Sequence, residues 1–174
     1  MTRRRKRERI DEAFIVHRLS MRRSPAWRVL PDHARRVMAA FEEEHMAHGG
    51  AQNGALVCTY VDLQAAGVPR KAIALALRQL EALGFIRVVE RGRPSISEYR
   101  SPSRYQLTYA YGRSVMRGGE TVNLRTDDWT RFSTLEEAWT ALKAAATLRS
   151  AEHVRRAEAV KRKAAQAKTA KGAA

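Results

Sequence analysis

One stretch constrains this chain more than any other: "VDLQAAGVPRKAIALALRQLEALGFIRVVERG", Val61 to Gly92. Thr59 stands three residues ahead of Asp62, the spacing of a capping box, in which the hydroxyl accepts from a free first-turn amide while the carboxylate reaches back. A helix is expected to start there, and to be short, because Gly67 falls where a left-handed residue ends it. Pro69 suits the first turn of a second helix, along which Ile73, Leu77, Leu80 and Leu83 recur at spacings of three and four. "FIRVVE" then alternates as a strand, "RGRPSISEYRSPS" carries the glycine, proline and serine of a loop, and "RYQLTYA" alternates again, which makes a hairpin with a long tip. Two helices joined by a sharp glycine turn must bury their apolar faces in one corner, with Leu63 and Val68 filling it and Ile73, Leu77 and Leu80 packing beneath.

Upstream, "FIVHRLSMRRS" mixes β-branched and aromatic residues with alternating polarity, the pattern of an extended lead-in. In "SPAWRVLPDHARRVMAAFEEEHMAHGG", Ser24 can cap and Pro25 open a short helix, Pro31 can open the next, and Gly49 and Gly50 end it. Val37, Met38, Phe41 and His45 recur at helical spacing and face inward, while Glu42, Glu43 and Glu44 read as a solvated face. "NGALVCTY" supplies a turn at Asn53 and Gly54 and a short strand over Leu56 to Cys58.

Downstream, residues 112–132 are polar, contain glycine and show no period, and read as a linker. From Ser133 and Thr134 onward, "LEEAWTALKAAATLRSAEHVRRAEAVKRKAAQAK" is dominated by Ala, Glu, Lys and Leu, so a helix is expected that frays toward Ala174. Trp27, Trp129 and Trp139 are expected as packing anchors. The resulting fold class is mainly α with a small β-hairpin. The order helix, helix, small strand, short helix, glycine turn, longer helix, hairpin is that of a winged helix-turn-helix. It divides into a basic arm at 1–13, the winged domain at 14–111, a linker at 112–132 and a basic C-terminal helix at 133–174.

Charge then indicates a partner. Lys and Arg number 33 against 18 acidic residues, a formal net charge of +15, which favours a polyanion. It is concentrated: residues 1–9 carry +5, residues 149–174 carry +6, and residues 70–104 carry a local +5. Opposite Ile73, Leu77 and Leu80, at 100° per residue, lie Arg70, Lys71, Ala74, Leu75 and Arg78. Arginine and lysine in the first turn of such a helix can meet base edges, arginine bidentately on guanine, and Ala74 or Leu75 can touch a thymine methyl or allow close approach, Leu75 suiting a broader core stripe or a dimer contact equally well. Arg91 and Arg93 flank Gly92 where the hairpin tip begins, and Arg100 and Arg104 close it, a placement suited to phosphates or a minor groove. Arg3, Arg4 and Arg5 of the arm add sequence-independent, salt-sensitive affinity.

Other chemistry has less support. His45 and His48 stand three apart and Cys58 could join them, but that spacing is common by chance, and no metal site is expected. With no P-loop, no GxSxG elbow and no paired Cys/His nucleophile signature, neither a catalytic role nor a cofactor is expected. A single cysteine excludes an internal disulfide framework and suits a reducing compartment. With no run approaching ~18 apolar residues, a cytoplasmic, nucleoid-associated protein with no membrane partner is expected.

The stretch from "SPAWRVLPDHARRV" through "GVPRKAIALALRQLEALGFIRVVERG" to "SRYQLTY", with the later "TDDWTRFSTLEEA", resembles the small bacterial winged-helix proteins of plasmids, phages and integrative elements, related to the DNA-binding halves of replication initiators. The likeness spans residues 14–140, on "HGG", "NG", "ALGFI" and "ERG" in combination. It implies site-specific duplex DNA binding by the second helix and the wing, in a transcriptional regulator or a replication-associated factor. Initiators of this type commonly carry a second related domain, for which this chain is short, so regulation leads. The alternative is an architectural or replication protein whose C-terminal helix, with Leu135, Trp139 and Leu142 on one face, docks on a replisome or polymerase subunit while basic tails coat nucleic acid. A homodimer on two half-sites would suit the first reading, though no heptad run demands it.

Overall fold

A computed structural model describes residues 11–92, 101–111, 115–117, 120–122 and 125–147. Its helices are α1 (Leu19–Arg23), α2 (Pro25–Arg28), α3 (Asp32–Ala47), α4 (Tyr60–Ala65), α5 (Arg70–Ala82) and α6 (135–147). Strands β1 (Ile86–Glu90) and β2 (Arg104–Leu107) form an antiparallel hairpin, β3 (Val115–Arg117) and β4 (Glu120–Val122) form a second small pair, and a 3-10 turn covers Asp128–Arg131. The molecule is thus mainly helical with a small two-stranded hairpin, the coarse class that the sequence indicates.

The lead-in departs from the extended reading, because Leu19–Arg23 is helical and Met21 is completely buried. Ser24 separates α1 from α2 by doing two things. Its hydroxyl donates to the Met21 carbonyl at 2.7 Å and accepts from the Trp27 amide at 3.2 Å. A short helix on each side of one extended serine satisfies more backbone groups than an extended strand with no pairing edge.

α3 carries its expected face, with Val37, Met38, Phe41 and His45 all buried. Glu42 corrects the solvated-face reading. It is buried too, accepting from the Tyr109 hydroxyl and contacting His17 Nε2 at 2.6 Å. Because Glu42 follows Phe41 at only 100° around the helix, the stripe that buries one reaches the other, and paired donors offset its desolvation. Burial, reinforced by Glu42, pushes the Tyr109 hydroxyl well above its ordinary range. Gly49 and Gly50, at φ +57° and +76°, close the helix with amides that donate to Met46 and His45 carbonyls, each at 2.9 Å.

The strand expected over Leu56 to Cys58 reduces to one bridge, Leu56 with Tyr105. That bridge puts β2 in the middle, since its other edge pairs Ile86 with Leu107, Arg87 with Gln106 and Val88 with Tyr105. Asn53 ties the turn before it to the sheet. Its amide donates to Leu107 and Ala110 carbonyls at 2.9 and 3.2 Å and its oxygen accepts from the Leu107 amide at 2.8 Å.

The stretch expected as a linker packs on the body over its last residues. Amides of Thr126 and Asp127 donate to the Thr108 carbonyl at 2.9 Å, and Trp129 joins the core. Gly84 permits this approach: its φ is +78°, and a Cβ there would lie 2.6 Å from the Asp128 carbonyl carbon. Long-range docking of this kind leaves no local period to read. α6 begins at a second capping box, with Thr134 Oγ1 accepting from the Glu137 amide at 3.2 Å and Glu137 Oε2 accepting from the Thr134 amide at 3.3 Å and from the Ser133 amide at 2.8 Å. Its buried stripe is Ala138, Leu142 and Ala145, which turns Trp139 outward at 49% exposure, while Leu135, the first residue of the helix, is 43% exposed. Trp139 is therefore not a packing anchor, whereas Trp27 and Trp129 are buried. Alanines on either side of Leu142 let α6 approach closely, and a tryptophan on that stripe would hold it away. Among the described residues no helix is long and apolar enough to cross a membrane.

Candidate nucleic-acid interface

The geometry of this face starts at Thr59. Its amide and hydroxyl each donate to Asp62 Oδ2 at 2.7 Å, and its Oγ1 accepts from the Asp62 amide at 3.3 Å, so the capping box is complete. Those bonds, the side-chain one foremost, hold the Asp62 carboxyl below its ordinary range. α4 ends at Gly67, at φ +79°, where the Val68 amide donates to the Leu63 carbonyl at 3.0 Å. Arg36 of α3 holds the same turn from outside, donating to the Gly67 carbonyl at 3.1 Å. Leu63 and Val68 fill the corner, fully buried.

α5 then presents two faces. Ile73, Ala76 and Leu80 are buried against the body, and Leu77 packs partly beneath them. Burying Ile73 and Leu80 contributes about 1.5–3 kcal/mol each, enough to set how the helix rolls. Arg70 and Lys71 stand exposed in its first turn, and Ala74 and Leu75 are half-buried. Arg70 lies 6.0 Å from the centroid of the Tyr60 ring, a cation–π placement that orders the guanidinium while leaving it in solvent. Tyr60 escaped the sequence reading because its partner lies ten residues on, in a different helix.

Arg78 departs from the expected open face. Its Nε donates to the Ala145 carbonyl of α6 at 3.1 Å, and its Nη2 is buried with no hydrogen-bond partner among the described residues. α6, 67 residues further along the chain, covers the position that a helical wheel leaves open.

On the hairpin, Arg91 has a side chain 80% exposed and only a loose pairing with Glu81 at 3.7 Å. Arg104 lies 3.4 Å from Glu90, both about half-exposed. Such surface pairs contribute little, roughly 0–1 kcal/mol, and can be exchanged for phosphate contacts. Arg91 and Ala74 line one cavity together with Tyr60 and Tyr105, so the start of the hairpin tip and the α5 surface are continuous. Arg93 and Arg100 of the tip and Arg3, Arg4 and Arg5 of the arm lie outside the described residues.

The histidine pair has other partners. Burial, foremost, lowers the His45 pKa, and its ring packs beside Gly50, while His48 Nε2 contacts Glu44 at 3.2 Å. Cys58 is half-buried, and burial followed by the nearby carboxylates of Glu44, Asp62 and Glu43 pushes its thiol up to about 12, which leaves little thiolate. Among the described residues there is no group of three or more potential metal ligands. Comparisons of the chain with family models, with curated proteins and with solved structures found no match.

Proposed function

We propose that this chain is a sequence-specific double-stranded DNA-binding protein of the winged helix-turn-helix type, a transcriptional regulator. The first two turns of α5 enter the major groove, and the hairpin from Arg91 to Arg104 lies over neighbouring phosphates or the minor groove. The observation that carries this reading is the two-sidedness of α5: Ile73, Ala76 and Leu80 are sealed in the core while Arg70 and Lys71 project from its first turn. α4, braced across the Gly67 turn, holds that helix end in place. The helix, helix, hairpin order and the +15 formal charge support the same reading. Removing charge from the hairpin should weaken every sequence alike, whereas removing Arg70 should change which sequence is preferred.

Selection of bound duplexes from a random pool at physiological salt tests it. A single enriched motif is expected, and a palindrome within it would indicate a dimer on two half-sites. Uniform recovery of all sequences would count against base reading. A second reading has its own observation: Leu135 and Trp139 are exposed on α6, as a helix that docks a replication or polymerase subunit would require. Paired L135S and W139S substitutions that abolish capture of such a partner while leaving DNA selection intact would favour docking.

A further inference from the structure

A cavity adjoins the proposed DNA surface and shares Ala74 and Arg91 with it. It measures about 550 Å3, within the ~300–1,000 Å3 range of small-molecule sites. Ala74 and Leu77 of α5 form one wall, Ala141 and Ala145 of α6 face them, and the rings of Tyr60 and Tyr105 lie along the hairpin side. The lining is therefore chiefly apolar and includes two aromatic rings, a surface that accepts a flat hydrocarbon body.

Its charge is one-sided. Arg78, Arg91 and Arg131 line it against the single carboxylate of Glu81. Arg131 donates to the Ala82 carbonyl, and Arg91 is loosely placed at 3.7 Å from Glu81 with most of its side chain in solvent. Arg78 differs from both. Its Nε is engaged by the Ala145 carbonyl at 3.1 Å, but its Nη2 is buried and unpartnered among the described residues. An unmet donor on a buried cation is costly; Nη2 has almost no accessible surface, so an anionic acceptor in the cavity relieves that cost once the guanidinium turns toward it.

We propose that this cavity binds a small amphipathic anion of the aromatic carboxylate class, with its ring between the alanine walls and its carboxylate on Arg78. Neutral aromatics lack the negative charge that strengthens a bond from Arg78, and small inorganic or aliphatic anions lack the apolar body that the walls accept. Because α5 and α6 form opposite walls, an occupant contacts both the proposed DNA-reading helix and the helix that covers its second half. Binding itself does not rest on the DNA reading and is measured without DNA.

Calorimetric titration of the full chain with 2-naphthoate at physiological salt tests the proposal, with acetate and 2-naphthol as the anion-only and ring-only comparisons. Saturable one-to-one binding is expected for 2-naphthoate, about tenfold or more tighter than for either comparison. Arg78→Gln should weaken 2-naphthoate by about tenfold and bring it level with 2-naphthol. Ala144→Trp, at an exposed position on the rim, should occlude the cavity without touching the core, and it decides the matter if the Arg78 variant does not fold. Absence of saturable binding overturns the proposal. So does equal binding of acetate, or 2-naphthoate affinity unchanged in the folded variants.

Discussion

Arg70 and Arg78 sit on one helix, eight residues and roughly 80° apart around its axis, and the two ends of α5 could hardly be treated more differently. Arg70 stands in solvent above the Tyr60 ring, whereas Arg78 is taken by a carbonyl of α6 and partly sealed. The residue type, the helix and the nominal face are alike. What differs is proximity to α6, which reaches the second half of α5 and leaves the first turn open. A helical wheel identifies the side of a helix that turns away from its own core, and it cannot show whether a later part of the chain returns to cover that side.

The largest expected effect removes what both ends share. Leu80→Ala deletes a fully buried side chain beneath α5 and should cost about 2–5 kcal/mol in denaturant unfolding. A loss under about 1 kcal/mol would mean that α5 is not seated on the core as described, and the contrast between its ends would lose its frame.

Next in size is the contrast itself. Arg70→Ala should cost about 1–3 kcal/mol on the preferred duplex and relax base preference, whereas Arg78→Ala should change DNA affinity by no more than about 0.5 kcal/mol. Equal losses from the two substitutions, read by competitive binding on matched duplexes, would break the comparison.

A smaller effect concerns the brace that holds the open end. Thr59→Ala removes the capping box and should cost about 1 kcal/mol at neutral pH. Asp62 has its folded pKa depressed by those bonds, so its contribution is present above the unfolded value of ~3.9 and is lost as pH falls through the lower folded value. The gap between Thr59→Ala and the parent chain should therefore narrow below about pH 4, as followed by thermal unfolding in acid. A constant gap across that range would remove the carboxylate from the account.

The smallest effect is expected on the hairpin. Arg91→Ala should weaken all duplexes about equally and reduce the slope of log affinity against log salt by about 1, without altering the selected motif. A changed motif would move Arg91 from phosphate contact to base reading.

Much of this architecture is local and was therefore readable. The Thr59–Asp62 box, the Gly67 turn, the Ser24–Pro25 start and the buried stripe of α3 each depend on residues within a turn or two of one another. The misreadings fall where a residue meets a distant segment. Glu42 looked solvated until Tyr109 and His17 are placed against it, and Trp139 looked like an anchor until the alanine stripe of α6 turns it outward. The candidate site divides in the same way. Arg70 and Lys71 lie where the local pattern puts them, while Tyr60 beside Arg70, the cover on Arg78 and the cavity shared by Arg91 and Arg131 depend on helices and turns far apart in the chain.

The amino-acid order by itself determined where most of the longer helices begin and stop, the main inward stripe of α3 and of α5, and that positive charge gathers near the start of α5 and in the hairpin. Caps, glycine turns and apolar periods act over a few residues, so nothing beyond the segment is needed to express them. Only the tertiary structure decided which of those cations remain open. The docking of residues 125–147 onto the body buries Trp129 and Ala138 and covers Arg78, and such docking depends on shape matched between segments far apart in the chain rather than on any local period.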